Sequence, residues 1–443
     1  MAATTLAPRT RRARAALFAV FGLNGMLAAV WIVHIPAVTG RTGTSHTTLG
    51  MLILLMAGCA IVGMQAAGPL ADRFGSRALT TAAALELSLA LLGPAFADST
   101  ATLALALAAF GFGNGALDVS MNAQAVHVER AYPRPIMSAF HAFFSCGGFL
   151  GSAAGAATQQ LGWTTHLTLP LFAALGLTIT AFATPRLLPH AGSEARKAHS
   201  SPPPAPEPAP DNAEERVTGA GTADTGTAHE GGGRVDALLR RRPRTDGRER
   251  SISRKVLALG GIAFALLMAE GVAADWSALQ LRDRLDVGVA TAGLAYAGFS
   301  LTMTAGRFCA DRVSGRVGRV AVVRWGTALA AMGFALVVSS GWLPLTLAGW
   351  ALCGIGLSGC VPQVFSAAGN LGSAAHATDM SRVFGLGYVG LLAGPAIIGW
   401  INKLVPLTTA MLVPLAAMVL CAIGARAVGA ATAGQRRVAA ADG

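Results

Sequence analysis

Almost the whole of this 443-residue chain is divided into apolar runs, each about 18–25 residues long, the length that crosses a bilayer as one helix. The runs show no continuous polar face, which a helix on the surface of a soluble domain would need. Hydrophobic residues make up 53% of the sequence and charged residues 13%, against roughly 25% charged in an ordinary soluble domain. The mean hydropathy of +0.53 points the same way. These features predict a polytopic helical membrane protein and exclude a large soluble core. The expected spans are 15–34, 47–67, 78–97, 101–125, 136–157 and 164–184, then 255–275, 289–306, 320–339, 343–363, 382–401 and 406–427.

The fold class expected is therefore an all-α membrane protein of twelve transmembrane helices, arranged as two six-helix halves. Residues 1–185 form the first half and 254–428 the second, with a linker at 186–253 and a tail at 429–443. The linker reads SPPPAPEPAP, then TGAGTADTGTAHEGGG, then RRRPRTDGRER. A Pro-rich, Gly/Thr-rich and Arg-rich stretch without large apolar residues is a signature of disorder. Its arginines could meet anionic lipid, or simply be solvated and help fix orientation.

The net charge of +12 raises nucleic acid as a partner, but its distribution answers differently. With both termini in the cytoplasm, most Lys and Arg fall on the cytoplasmic side. Arg41, Arg282, Arg284 and Lys403 fall outside, and Arg324 and Arg382 sit at helix edges. That is the positive-inside bias of a membrane protein, and no nucleic-acid partner is expected. The start, RTRRARAALFAVFGLNGMLAAVW, has the basic flank and apolar run of a signal peptide. Its length and the spans that follow favour a retained first helix.

Glycine is abundant, at 54 residues. Small residues let membrane helices approach closely, and Gly147, Gly151 and Gly155 form two overlapping small-xxx-small repeats. The six cysteines are scattered through apolar spans with no C-x-x-C pair, so neither a disulfide framework nor a metal site is expected. No G-x-S-x-G, H-E-x-x-H or Walker loop appears. No enzyme activity and no cofactor are expected.

The halves read as repeats. GPLADRFGSR (68–77) follows the second span and AGRFCADRVSGRVGR (305–319) follows the eighth. GFGNG in the fourth span matches GIGLS in the tenth, pairing Gly111 and Gly113 with Gly354 and Gly356. Two parallel six-helix repeats are a transporter architecture. GPLADRFGSR resembles the loop signature of the major facilitator superfamily through Gly68, Leu70, Asp72, Arg73, Gly75 and Arg77. The second copy matches it at Gly306, Asp311, Arg312 and Gly315. The resemblance implies a conformational latch at these loops. Physically, glycine supplies turn freedom, and Asp72 can pair with an Arg or a helix N-terminus.

Residues 110–151 further resemble the fourth and fifth helices of fucose-permease-like transporters, with Asp118 at the membrane carboxylate of that branch and Asn122 at its Asn. The resemblance implies a role for Asp118 in proton coupling and sugar binding. The first span departs from that branch: it has no acid, only Asn24 and His34 as polar candidates. GLLAGPAIIG (390–399) resembles an antiporter motif, but it lies in the eleventh span rather than the fifth.

An ionised side chain at bilayer depth costs about 2.5–3.5 kcal/mol on insertion scales, so it faces a cavity or a partner and marks a functional candidate. Asp118 and Glu270 are the proton-coupling candidates. Asn114, Asp118 and Asn122 recur every four residues and predict one polar stripe on a helix. Asn24, Asn114, Asn122, His141, Gln363, Asn370 and Arg382 are the substrate-cavity candidates. Glu86 is expected to contact the loop after the fourth span, and Asp275 to lie at the interface.

The expected function is secondary active transport of a small polar, sugar-like solute by alternating access with proton symport. Proton-coupled export and ligand sensing without transport are the alternatives. The expected partners are a small-molecule substrate, protons and the lipid bilayer. The protein is expected to act as a monomer in a bacterial plasma membrane.

Overall fold

The computed structural model describes residues 8–189, 245–371 and 375–429. Among these residues there is no strand. The first half comprises α1 (Pro8–Thr42), α2 (His46–Phe74), α3 (Ser76–Ala90, continued by Leu92–Phe96), α4 (Thr100–Arg130), α5 (Met137–Gln160) and α6 (Thr165–Ala183). The second comprises α7 (Thr245–Leu285), α8 (Val289–Val317), α9 (Arg319–Ser339), α10 (Leu343–Ser358 and Cys360–Gly369), α11 (His376–Ile401) and α12 (Leu407–Ala410 and Leu412–Gly424).

Ten of these helices are long and apolar enough, by length and composition, to cross a membrane. The other two, α5 and α8, are diluted by Gly, Ser, Thr and, in α8, Arg. The expected linker falls largely outside the described residues, as does almost all of the tail. The last part of that linker is helical, because α7 is already formed from Thr245.

Local chemistry sets the helix ends. The Ser45 hydroxyl accepts from the Thr48 amide at 3.2 Å and starts α2. Ser99 and Thr102 form a reciprocal capping box at the start of α4. The α2–α3 and α8–α9 junctions each turn on one glycine in the left-handed region, Gly75 at φ 89° and Gly318 at φ 84°. The second turn therefore sits at Gly318, three residues beyond Gly315. Gly315 instead lies within α8, whose backbone continues to Val317.

Close backbone approach packs each half. A Cβ on Gly111 would strike the Met56 carbonyl of α2, and one on Gly113 the Glu86 carboxylate of α3. A Cβ on Gly354 would strike the Phe299 carbonyl of α8, and one on Gly356 the Gly326 carbonyl of α9. The G-x-G pair thus presses the fourth helix of each half onto its second and third. Glu86 meets the middle of α4 rather than the loop after it. Gly147 and Gly151 likewise seat α5 against Gly22 and Met26 of α1. Asp275 is exposed.

Candidate functional site: the central cavity and the latch beneath it

The three polar residues of the expected stripe lie on α4, and only Asp118 borders a cavity. Asp118 is 7% exposed and borders a central cavity of about 200 Å³. Asn122 is fully buried and turns back on its neighbour. Its amide donates to the Asp118 carbonyl at 2.8 Å and to Asp118 Oδ1 at 3.1 Å. It positions the carboxylate from behind rather than lining the cavity. Asn114 is half-buried and is not among the cavity-lining residues.

Both halves build this cavity. The first half supplies Asp118 and Met121 from α4, His141 and Phe144 from α5, and Phe21 from α1. The second supplies Glu270 from α7, Arg307 from α8, Phe365 from α10 and Tyr388 from α11. Tyr388 lines the same cavity as Asp118. Arg307 Nη2 pairs with Glu270 Oε1 at 3.2 Å, with side chains 14% and 24% exposed. Its Nη1 donates to Ser145 Oγ of α5 at 2.7 Å, so this one arginine bridges the two halves.

His141 sits between aromatic rings, 5.5 Å from Phe21 and 6.0 Å from Phe365. Its Nε2 is buried without a hydrogen-bond partner among the described residues. Asn24 lies behind Met121, its amide 4.0 Å from that sulfur.

The remaining candidates lie elsewhere. Gln363 is buried in the second half, where its Oε1 accepts from Ser314 Oγ at 3.0 Å. Asn370 joins the seam between the halves, accepting from Arg130 Nε at 2.9 Å. Arg382 is mostly exposed and pairs with Asp379 one turn back at 3.5 Å. None of these three touches the cavity.

Below the cavity, the signature loops hold the halves together. Asp72, at the end of α2, accepts from the Ala377 and Thr378 amides at 3.0 and 2.9 Å, and from the Thr378 hydroxyl at 2.7 Å. Those amides open α11. Asp311, near the end of α8, accepts from the Ser138 and Ala139 amides, which open α5, at 2.9 and 2.7 Å. One offset of 239 residues relates Asp72 to Asp311 and Ser138 to Ala377. Each carboxylate therefore crosses to the opposite half and caps a helix whose unsatisfied amides and dipole favour negative charge.

Glu129 completes this end. It accepts from the Ile136 and Met137 amides at 3.0 and 3.1 Å, from Arg319 at 3.2 Å and from the Ser366 hydroxyl. Of the other charged members of the signatures, Arg73 and Arg312 are exposed and Arg77 is half-buried.

Sequence reasoning missed Arg307, Tyr388 and Glu129. Arg307 stands one turn before Asp311, at the very end of an apolar run, and reads there as one more basic residue of a turn. Glu129 and Arg130 read the same way after the fourth span. A tyrosine carries no signal of its own in an apolar helix.

The comparisons agree with this architecture. A family model described as Major Facilitator Superfamily matches residues 16–273. An uncharacterized MFS-type transporter of Yersinia pestis is 30% identical over 408 residues, covering 92% of this chain and 94% of that protein. Membrane protein MosC of Rhizobium meliloti is 29% identical, covering 91% and 86%. Among solved structures, the MFS transporter FucP in the outward conformation superposes with a TM-score of 0.70 at 14% identity, over 94% of this chain and 98% of that one. The human organic anion transporter MFSD10 gives 0.68 at 16% identity, over 95% and 100%. On the family match and the shared length with its relatives, this multi-pass membrane protein belongs to the major facilitator superfamily of transporters.

Proposed function

We propose that the chain is a proton-coupled secondary transporter of a small polar solute, moving it by alternating access. The observation that supports this most is the grouping of Asp118, His141, Glu270, Arg307 and Tyr388 around one cavity shared by both halves. Two carboxylates at bilayer depth, one braced by an amide and one by an arginine, can exchange a proton for another partner. The aromatic faces of Phe21, Phe144 and Phe365 suit the apolar face of a sugar-like ring.

In this reading the signature loops lie at the cytoplasmic side, with both termini, in a bacterial plasma membrane. Asp72 and Asp311 then hold the cytoplasmic end shut, and the described conformation faces outward. Residues 186–253 link the two halves. The solved structure of the E. coli fucose:proton symporter FucP shares the fold. The symport reading rests on the residues of this cavity.

The test is proton flux into proteoliposomes carrying a pH-sensitive dye, with a panel of hexoses, deoxyhexoses, sugar alcohols, sugar acids and cationic drugs. A solute that carries protons inward with the wild type, and still binds but moves no protons in Asp118→Asn, fits the proposal. Normal coupling in that variant reduces Asp118 to a structural brace and leaves Glu270 as the proton site. Proton release driven only by cationic drugs overturns symport in favour of export.

A further inference from the structure

The pseudo-symmetry that pairs the two latches breaks one turn above them. The offset of 239 residues that carries Asp72 to Asp311 carries Gly68 to Arg307 and Gln65 to Thr304. At the α2–α11 seam, Gly68 lies so close to Ser381 and Thr378 that a Cβ there would collide with both. The Gln65 amide also donates to the Ser381 carbonyl at 3.0 Å. That seam is shut. At the α5–α8 seam the same positions hold Arg307 and Thr304, and both line a cavity of about 950 Å³ with α7 as its third wall.

Arg307 and Glu270 line this seam cavity and the central cavity alike, so the two spaces meet at their ion pair. The far rim is apolar and open. Phe149 and Leu301 are 72% exposed and Leu150 62%. A volume of 950 Å³ is at the upper end for small-ligand sites, whereas 200 Å³ holds only part of one.

Where the two cavities meet, the unmet hydrogen bond belongs to the cation of the ion pair. Asp118 is served by Asn122 and Glu270 by Arg307. Among the described residues, the buried atom of the Arg307–Glu270 pair without a partner is a donor, Arg307 Nε. A guanidinium presents five donors in a planar fork suited to an oxyanion, and here only two of its nitrogens are engaged.

We propose that the seam and central cavities together bind an amphipathic anion, with its acidic group on Arg307 and its apolar tail among Phe149, Leu150 and Leu301. This rests on the transport reading and replaces the sugar-like ring of that reading with a solute that carries an acid group and an apolar tail. The anion takes the place of Glu270 on Arg307, and its tail lies toward the lipid between α5 and α8.

Cys146 lines the seam cavity beside Ser145 and reports on its occupancy. In Cys59→Ser/Cys309→Ser protein the other three cysteines are buried. That protein, full length in phosphatidylcholine nanodiscs, is treated with methyl methanethiosulfonate after preincubation with 1-octanesulfonate, ethanesulfonate or octyltrimethylammonium at one concentration. The expected result is that octanesulfonate slows Cys146 modification by about tenfold or more, the scale of one charge-assisted contact. The other two change the rate less than twofold. Equal protection by octyltrimethylammonium makes the cavity a general apolar groove and overturns the anion. Equal protection by ethanesulfonate overturns the tail.

Arg307→Gln removes the protection and Arg307→Lys keeps part of it. Should Arg307→Gln fail to fold, Glu270→Gln gives the opposite sign, since the freed guanidinium holds octanesulfonate more tightly. Unchanged protection there overturns the role of Arg307. In phosphatidylglycerol nanodiscs, protection without added sulfonate identifies a bilayer lipid as the source of the anion, and protection only on addition identifies a soluble solute. Proton flux is scored separately. Protection without flux keeps this site and removes the transport reading, while flux without protection does the reverse.

Discussion

Removing the charge of Arg307 strands Glu270 inside the cavity without a cation, and removing Glu270 strands Arg307. Breaking one partner of a fully buried pair costs about 3–5 kcal/mol, because the survivor stays desolvated. With side chains 14% and 24% exposed, screening by cavity water reduces this, and Arg307→Gln is expected to cost about 1–3 kcal/mol. The double variant Arg307→Gln/Glu270→Gln should recover most of that stability and none of the transport. A thermal melt of the purified protein beside a flux assay separates the two effects. A double variant as unstable as the single one would show that the pair is not what Arg307 is held by. At this scale the sequence was half legible. Asp118, His141 and Glu270 stood out because each interrupts an apolar run. Asn122 did not reveal its task, since the same four-residue spacing that aligns it with Asp118 also lets its amide fold back onto that residue. Arg307 was hidden by its place at the edge of a basic turn.

Between elements, packing depends on where backbone meets backbone. A methyl group at Gly111 would collide with the Met56 carbonyl of α2, an atom that cannot move without shifting the helix. At Gly113 the obstacle is the end of the Glu86 side chain, which can swing aside. Gly424, near the end of α12, has open space around it. The expected order of harm is therefore Gly111→Ala well above Gly113→Ala. Gly424→Ala should be neutral or stabilising by about 0.5–1 kcal/mol, since alanine loses less backbone entropy on folding. The fraction of protein that elutes as a monodisperse peak after detergent extraction ranks the three. Equal yields for Gly111→Ala and Gly424→Ala would mean that α4 and α2 are not so close. The span pattern and the repeated G-x-G were readable in the sequence, because length and hydropathy decide what crosses a bilayer. Which helix each glycine meets was not, since a small residue marks a close approach without naming the partner.

Across the whole molecule, two capped helices hold one end shut, and the cap geometry predicts how that end opens. Asp72→Ala removes three hydrogen bonds to the start of α11, and Asp311→Ala removes two to the start of α5. Loss of a helix cap costs about 0.5–2 kcal/mol, typically near 1. The loss falls on the closed state, where the caps bridge the halves, and 1.4 kcal/mol is a tenfold shift in population. Ser381 is almost fully buried on the α2–α11 seam, so Ser381→Cys in a background without Cys59, Cys146 and Cys309, the cysteines that are not buried, reports opening through its maleimide labelling rate. Each aspartate variant is expected to raise that rate several-fold. The two latches lie on different seams and share no partner, so their free-energy effects should add within about 0.5 kcal/mol. Their rate increases should therefore multiply. Multiplication means that both seams open in one rigid-body rocking of the halves, each latch adding its own term to a single equilibrium. If Asp72→Ala raises the rate while Asp311→Ala leaves it alone, the α2–α11 seam opens independently. The pseudo-symmetric pair is then two local clasps rather than one switch.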